Sequence, residues 1–285
     1  ESKKPLYYFF VSVIVNLVLD IVFVKELGLG VEGAALATLI SHAVAAILTG
    51  IYVFNSCNKI KITRNDLCPA KETVFKQLRL GVPVSLQFTI TSMGSMCLQS
   101  AVNSFGSNVV AGFTAAGRIE NLANIPISGL GVATQTFVGQ NYGAKKYHRI
   151  TNSVTKIYVL DIVLALILGG ILIFAGPYAV TLFMTEQNPE IMFASKSYLR
   201  AVGMCFTLVA TLFVLRNTLQ GLGFTYSNTI AGAGELVGRL LVAFVLARVI
   251  GFEAVCFAAP AAWLFADIPL AIIYLKKRRS LLKNS

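Results

Sequence analysis

From Leu6 to Val24 the chain reads LYYFFVSVIVNLVLDIVFV. A helix of that length reaches about 28 Å, close to the roughly 30 Å hydrocarbon thickness of a bilayer. Only Asn16 and Asp20 within it are strongly polar. A carboxylate in mid-span costs roughly 2.5–3.5 kcal/mol on insertion scales, so it marks a functional site by default. Asn16 and Asp20 are four residues apart and share one helix face. An amide oxygen beside a carboxylate is a corner that can hold a proton or a hard cation.

The rest of the chain repeats this pattern. Of 285 residues, 56% are hydrophobic and 13% charged, whereas soluble domains carry about 25% charged residues. Apolar runs near twenty residues point to helices and away from the short alternating strands of a barrel. Eight spans are predicted, approximately Leu6–Val24, Val31–Phe54, Leu80–Ser104, Val109–Val138, Val154–Ala175, Ile191–Leu219, Ser227–Val249 and Phe252–Leu275. The fourth and sixth exceed a straight span, which predicts tilt or a break, and Pro126 predicts a kink in the fourth. The fold class is therefore an all-α integral membrane protein.

The net charge of +11 does not indicate nucleic acid, because the basic residues gather between spans. One set of loops holds Lys3 and Lys4, then six cations from Lys59 to Arg79, then Lys145, Lys146 and Arg149, then Lys276 to Arg279 and Lys283. The alternate loops hold little beyond Lys25 and Arg248. The positive-inside rule places the first set, and both ends of the chain, in the cytoplasm. Asp20, about 21 Å along the first helix, then lies in the outer half of the membrane. Cys57 and Cys68 flank a loop on the reducing side, so disulfides are not expected, and the other three cysteines fall inside predicted helices. The chain opens at Glu1 with no room for a signal peptide before the first span, and reads as a C-terminal piece beginning in a loop.

The longest polar stretch, Asn55 to Gln77, separates two spans from six. Gly30, Glu32 and Ala37 recur 221 residues later as Gly251, Glu253 and Ala258, both times in an outer loop that opens a span. Duplicated halves are characteristic of secondary transporters. Residues 1–54 then form the last two helices of an N-terminal lobe, 55–77 a cytoplasmic linker between lobes, and 78–285 a six-helix C-terminal lobe.

The third span carries Ser85, Thr89, Ser92, Ser95, Gln99 and Asn103 on one face, and the fourth carries Thr114, Arg118, Asn121, Asn124, Ser128 and Gln135 at similar spacing. Two readings stand: hydrogen bonds between helices, or a solvated cavity for a substrate, with Ser92, Gln99, Asn103, Arg118 and Asn121 as its lining. Glu235 and Arg239 form an i,i+4 pair that reads as structural. Arg216, Asp161 and Asp267 are expected nearer the inner boundary, satisfied by snorkelling or pairing. His42 reads as a core histidine before a proton relay, and His148 is predicted at the opposite membrane face. No phosphate loop, nucleophile–base pair or metal-ligand spacing occurs, so neither an enzyme nor a resident metal is expected; Na⁺ at Asp20 is the one cation the residues invite.

Several strings resemble the multidrug and toxic compound extrusion (MATE) transporters: SKKPLYYFFVSVIVNLVLD, GLGVEGAALATLIS, GVPVSLQ and TFVGQNYGAKKYHRI. The resemblance implies helices five to twelve of a twelve-helix, two-lobe exporter of organic cations, driven by H⁺ or Na⁺ and needing no other cofactor. In the DinF-like branch an Asn and an Asp on the fifth helix and a Thr on the sixth build the coupling site, which implies Asn16, Asp20 and Thr38. The NorM-like branch instead carries a Glu at the position of Thr91, and no carboxylate occurs from Val82 to Ser104 or from Ile191 to Gln220. The implied setting is a bacterial or archaeal cytoplasmic membrane, the partners small organic cations and the lipid bilayer, and the state a monomer. A flippase for lipid-linked oligosaccharides would need more cavity cations than Arg118, and a membrane scaffold would not transport at all.

Overall fold

The computed structural model describes residues 3–56, 70–183 and 188–283, and every regular element among them is helical. Two compact units divide the chain, residues 1–71 and 72–285. The loop cysteines Cys57 and Cys68, and most of the expected linker, lie outside the described residues.

In the first unit α1 (Lys3–Asp20) and α2 (Gly30–Ser56) form a helical hairpin. Ser12 of α1 is buried and donates to the carbonyl of Ser41 on α2 at 2.9 Å. Near the other end of the pair Tyr8 and Tyr52 bring their rings to 6.0 Å. After Asp20 the helix does not stop. It widens into a π turn, Ile21–Glu26, whose register shows in the 2.9 Å bond from Leu27 N–H to the Val22 carbonyl. Gly28 (φ 65°) and Gly30 (φ 52°) then take left-handed backbone that other residues adopt only under strain.

A second π turn, Val242–Leu246, follows α9 (Tyr226–Leu241) in the other unit. It starts 221 residues after Ile21, the same offset that relates Gly30 to Gly251, and Gly251 also has positive φ (84°). The repeat read from three identities is thus matched by two features of backbone conformation. Such π turns are rare and concentrate at functional positions.

The second unit contains α3 (Lys71–Asn103), α4 (Ser107–Gly143), α5 (Tyr147–Phe174), the short α6 (Gly176–Phe183), α7 (Pro189–Met204), α8 (Phe206–Gly221), then α9 and its π turn, α10 (Ala247–Ile250), α11 (Phe252–Cys256) and α12 (Ala258–Lys283). Helices α7 and α8 form one span broken by 53° at Cys205, as the length of the sixth predicted span required. Cys205 therefore occupies the break and not a helix interior. Helix α4 runs unbroken through Pro126. Among the described residues five helices are long and apolar enough to cross a membrane, six if the bent pair counts as one. Helices α3 and α4 are long enough, but their polar stripes dilute the hydropathy.

The core of this unit gathers Leu172, Leu199, Phe206, Ile127 and Trp263, with Phe206 and Trp263 edge to face at 6.3 Å. Small residues set the helix distances, as expected where lipid is as apolar as leucine. A Cβ on Gly169 of α5 would lie 2.5 Å from the Gly203 carbonyl oxygen of α7, and one on Gly203 would lie 2.7 Å from that of Gly169. Helix α9 uses Gly234 and Gly238 in the same way against the backbone of α12.

One buried ionic cluster ties α3, α8 and α9 together. Glu235 on α9 is 3% exposed. Arg216 of α8 donates to its Oε1, Arg239 stands 3.7 Å from Oε2, and the Thr91 hydroxyl of α3 donates to Oε2 at 3.3 Å. Arg239 also donates to the Thr91 carbonyl at 3.1 Å, and Gln87 donates to the Thr91 hydroxyl at 3.3 Å. Gly94 leaves room for the Arg239 stem, which would lie 3.3 Å from a Cβ there. The i,i+4 pair expected from sequence is present. Arg216, expected to be satisfied by snorkelling or pairing, is satisfied by pairing, and its partner is Glu235 of this cluster.

Two outcomes follow for stability in detergent, read from unfolding midpoints. Gly169→Ala should destabilise by about 1–3 kcal/mol through forced separation of α5 and α7, while Gly170→Ala, whose Cβ would meet nothing within 4 Å, should be neutral or stabilising by up to about 1 kcal/mol. Glu235→Ala should lose about 3–5 kcal/mol, because two buried guanidinium groups lose their carboxylate; Glu235→Gln, which keeps an acceptor for Arg216, should lose less.

Candidate functional site

The corner implied by Asn16 and Asp20 is assembled by periodicity. Ser12, Asn16 and Asp20 stand at intervals of four on α1, and Ser12 fixes that face against α2 through Ser41. The facing residues Gly33, Ala37 and Ser41 of α2 are buried and small. Asn16 Nδ2 and Asp20 Oδ1 are both shielded from solvent, and among the described residues neither has a hydrogen-bond partner. A shielded carboxylate oxygen without a partner costs free energy that a bound proton or cation would offset, while the shielded Asn16 Nδ2 lacks an acceptor. Asp20 is also the last residue of α1 before the π turn, so its backbone carbonyl sits where hydrogen-bond register changes.

Thr38, the third residue implied by resemblance, is exposed on α2, and its hydroxyl donates to its own helix at the Ala34 carbonyl (2.9 Å). Its oxygen keeps acceptor capacity, but no hydrogen bond among the described residues joins it to Asn16 or Asp20. Asn16 and Asp20 thus share one face of α1, and the Thr38 hydroxyl is engaged by its own helix. His42 is exposed on α2 and is not a core residue of this unit.

The expected cavity residues lie on exposed or half-exposed faces of the second unit. Ser92, Asn103, Arg118 and Asn121 are exposed and Gln99 half-buried. The buried face of α3 is a different one, with Gln87, Gly94, Leu98 and Val102. Bonds within α3 satisfy part of its stripe: Gln99 donates to Asn103 at 3.0 Å, Ser95 to the Thr91 carbonyl at 3.1 Å and Thr89 to the Ser85 carbonyl at 3.1 Å. No hydrogen bond among the described residues links Ser92, Gln99 or Asn103 to Arg118 or Asn121. The stripes are therefore not glue between α3 and α4.

Sequence reasoning passed over Glu120. It lies on α4 one residue from Asn121, but turned inward. Tyr198 of α7 donates to its Oε2 at 2.6 Å and Asn124 to its Oε1 at 3.3 Å, and the charge of Arg239 reaches it. The available signal was Glu120 and Asn124 at i,i+4, obscured by the polar stripe beside them. The position that carries a Glu in the NorM-like branch is Thr91 here, and its hydroxyl meets Glu235. A carboxylate thus stands beside Thr91 after all, delivered from α9 and already held by two arginines. Asp161 and Asp267 depart from expectation. They are 0% and 6% exposed, and none of their carboxylate oxygens has a hydrogen-bond partner among the described residues. No cluster of three or more potential metal ligands occurs among the described residues.

Comparison with known proteins agrees with this layout. The MatE family profile matches residues 83–245, more than half of the chain. A Bacillus subtilis relative described as "Probable multidrug resistance protein YpnP" is 28% identical over 223 residues, which covers 78% of this chain and 49% of its own. A second from the same organism, "Probable multidrug resistance protein YoeA", is 27% identical over 260 residues, covering 87% and 55%. Among solved structures, one described as the outward-facing conformation of a multidrug resistance MATE family transporter superposes with a TM-score of 0.87 at 26% identity, covering 95% of this chain and 61% of that one. The chain thus spans about half the length of the curated relatives it matches. An all-helical, multi-pass architecture, a duplicated π turn and a family match across most of the second unit lead to one conclusion: this chain belongs to the MatE family of membrane transporters.

Proposed function

We propose that the protein exports organic cations or drugs across a bacterial or archaeal cytoplasmic membrane in exchange for H⁺ or Na⁺. The observation that carries the reading is the shielded, unpartnered pair Asn16 and Asp20 on one face of an apolar helix. A proton on Asp20, or Na⁺ held by Asp20 with oxygens of Asn16 and Thr38, removes a buried charge. Removing that charge changes how well the helix packs, so the ion biases the outward and inward states differently, as alternating access requires.

The exposed faces bearing Ser92, Gln99, Asn103, Arg118 and Asn121 supply the substrate surface in this reading. Gln99 and Asn103 bond one another, while Ser92, Arg118 and Asn121 have no hydrogen-bond partner among the described residues and are free to meet a ligand. An oligosaccharide-lipid flippase fits less well. It would need several free cations in the cavity, and Arg216 and Arg239 are already engaged by Glu235.

Asp20→Asn in the full-length protein should fold and insert normally, because the amide mimics the protonated acid. Efflux from proteoliposomes driven by a proton or Na⁺ gradient should fall to the level of protein-free vesicles, while drug binding persists. Wild-type efflux by this variant at equal reconstitution would make Asp20 structural and remove the mechanism.

A further inference from the structure

A groove of about 310 Å³ opens between α5, α8 and α12 at their basic ends, on the flank of the second unit and separate from the polar stripes. That volume lies at the lower end of the range for small-molecule sites. Each helix offers one turn-spaced face: Thr155 and Tyr158 from α5, Thr211 and Leu215 from α8, Tyr274 and Arg278 from α12. The walls are mainly apolar, and the hydroxyls of Thr155, Thr211 and Tyr158 are already spent. Thr155 donates to the Thr151 carbonyl at 3.0 Å, Thr211 to the Thr207 carbonyl at 2.9 Å, and Tyr158 and Thr211 meet at 3.2 Å. Arg278 differs. Its Nε is shielded from solvent and unbonded, and among the described residues its guanidinium has no carboxylate or carbonyl partner. Tyr274, one turn earlier on the same face, likewise has a hydroxyl without a partner.

The charge at the basic ends of α5 and α12 is of one sign, the buried Asp161 and Asp267 lying a turn beyond the groove residues Tyr158 and Ala271. Lys145, Lys146, Arg149 and Lys156 lead into and line the start of α5, and Lys276, Lys277 and Arg279 flank Arg278. No acidic residue occurs from Gly139 to Leu160 or after Asp267. Lys277 is turned onto the Phe224 ring at 3.8 Å, which leaves Arg278 as the cation over the groove. A dry slot with a single unpaired guanidinium at its mouth is complementary to one ligand class, an amphiphile with an apolar chain and an anionic head. Guanidinium matches phosphate oxygens in a two-pronged geometry that an ammonium does not reproduce. Basic pockets between membrane helices hold anionic lipid headgroups in this way.

We propose that this groove binds an anionic phospholipid, one acyl chain lying along Leu215 and Tyr158 and the phosphate held by Arg278 and the Tyr274 hydroxyl. The proposal needs only the membrane setting and is independent of the role given to Asp20.

The test is native mass spectrometry of the full-length protein loaded with phosphatidylglycerol or phosphatidylethanolamine of identical chains. Wild type should retain phosphatidylglycerol preferentially. Arg278→Gln should weaken that retention about tenfold, as loss of a charge-assisted pair implies, and so narrow the preference over phosphatidylethanolamine, whose ammonium already offsets its phosphate. Arg278→Lys should weaken it by less. Thr155→Trp, on an exposed position of the opposite wall, should displace the chain and abolish retention with Arg278 intact, so the proposal remains testable if Arg278→Gln fails to fold. Equal retention of both lipids by wild type, retention unaffected by Arg278→Gln, retention surviving Thr155→Trp, or displacement of phosphatidylglycerol by millimolar inorganic phosphate would each overturn it; the last would make the site one for free phosphate.

Discussion

In hydrocarbon a polar side chain must find its partner within the protein, and that requirement organises this structure. It is met in two ways. Hydroxyls on α3 and α4 turn back onto carbonyls of their own helix, so whole polar faces can stay exposed without pulling a neighbour in. Charged groups cannot be satisfied so locally, and Glu235 therefore draws Arg216 and Arg239 from two helices and Thr91 from a third. The packing of α3, α8 and α9 depends on that one carboxylate. The glycines along α9 and at Gly94 let the backbones come close enough for it to be reached.

Against that background the groups left unsatisfied stand out. Asn16, Asp20, Asp161, Asp267 and Arg278 all hold shielded polar atoms without partners among the described residues. Asn16 and Asp20 occupy one face beside a change of helical register, which sets them apart as a pair. Asp267 lies within electrostatic reach of Arg216 and Glu235, whereas no charged group among the described residues reaches Asp161.

Local pattern was legible in the sequence and long-range partnership was not. The helices coincide with the apolar runs, and the break near Cys205 follows from a run too long for one straight span. The Glu235–Arg239 pair was readable because both members sit on one helix. The partner of Arg216 could not be named from sequence because it is nineteen residues away, across a turn, and no spacing rule reaches that far. Glu120 was hidden by the Asn121 stripe, since one helix can carry an outward and an inward polar face side by side. The short α6 lies just beyond the fifth predicted span, which ends at Ala175. Thr38 came from resemblance alone, and its hydroxyl is turned to its own helix.

The π turn after Asp20 also stores a residue of length. A π turn holds one more residue than the α-helical path between the same ends, and in an α-helix each residue turns the chain by about 100°. Deleting one residue of Ile21–Glu26 would therefore restore α geometry while the ends, and with them the Ser12, Asn16 and Asp20 stripe, keep their direction relative to the glycine loop and α2. A deletion between Ser12 and Asn16 has no such slack and would turn Ser12 by about 100° out of line with Asn16 and Asp20. The direction in which Asp20 points thus tolerates a change of length after it and not one before it.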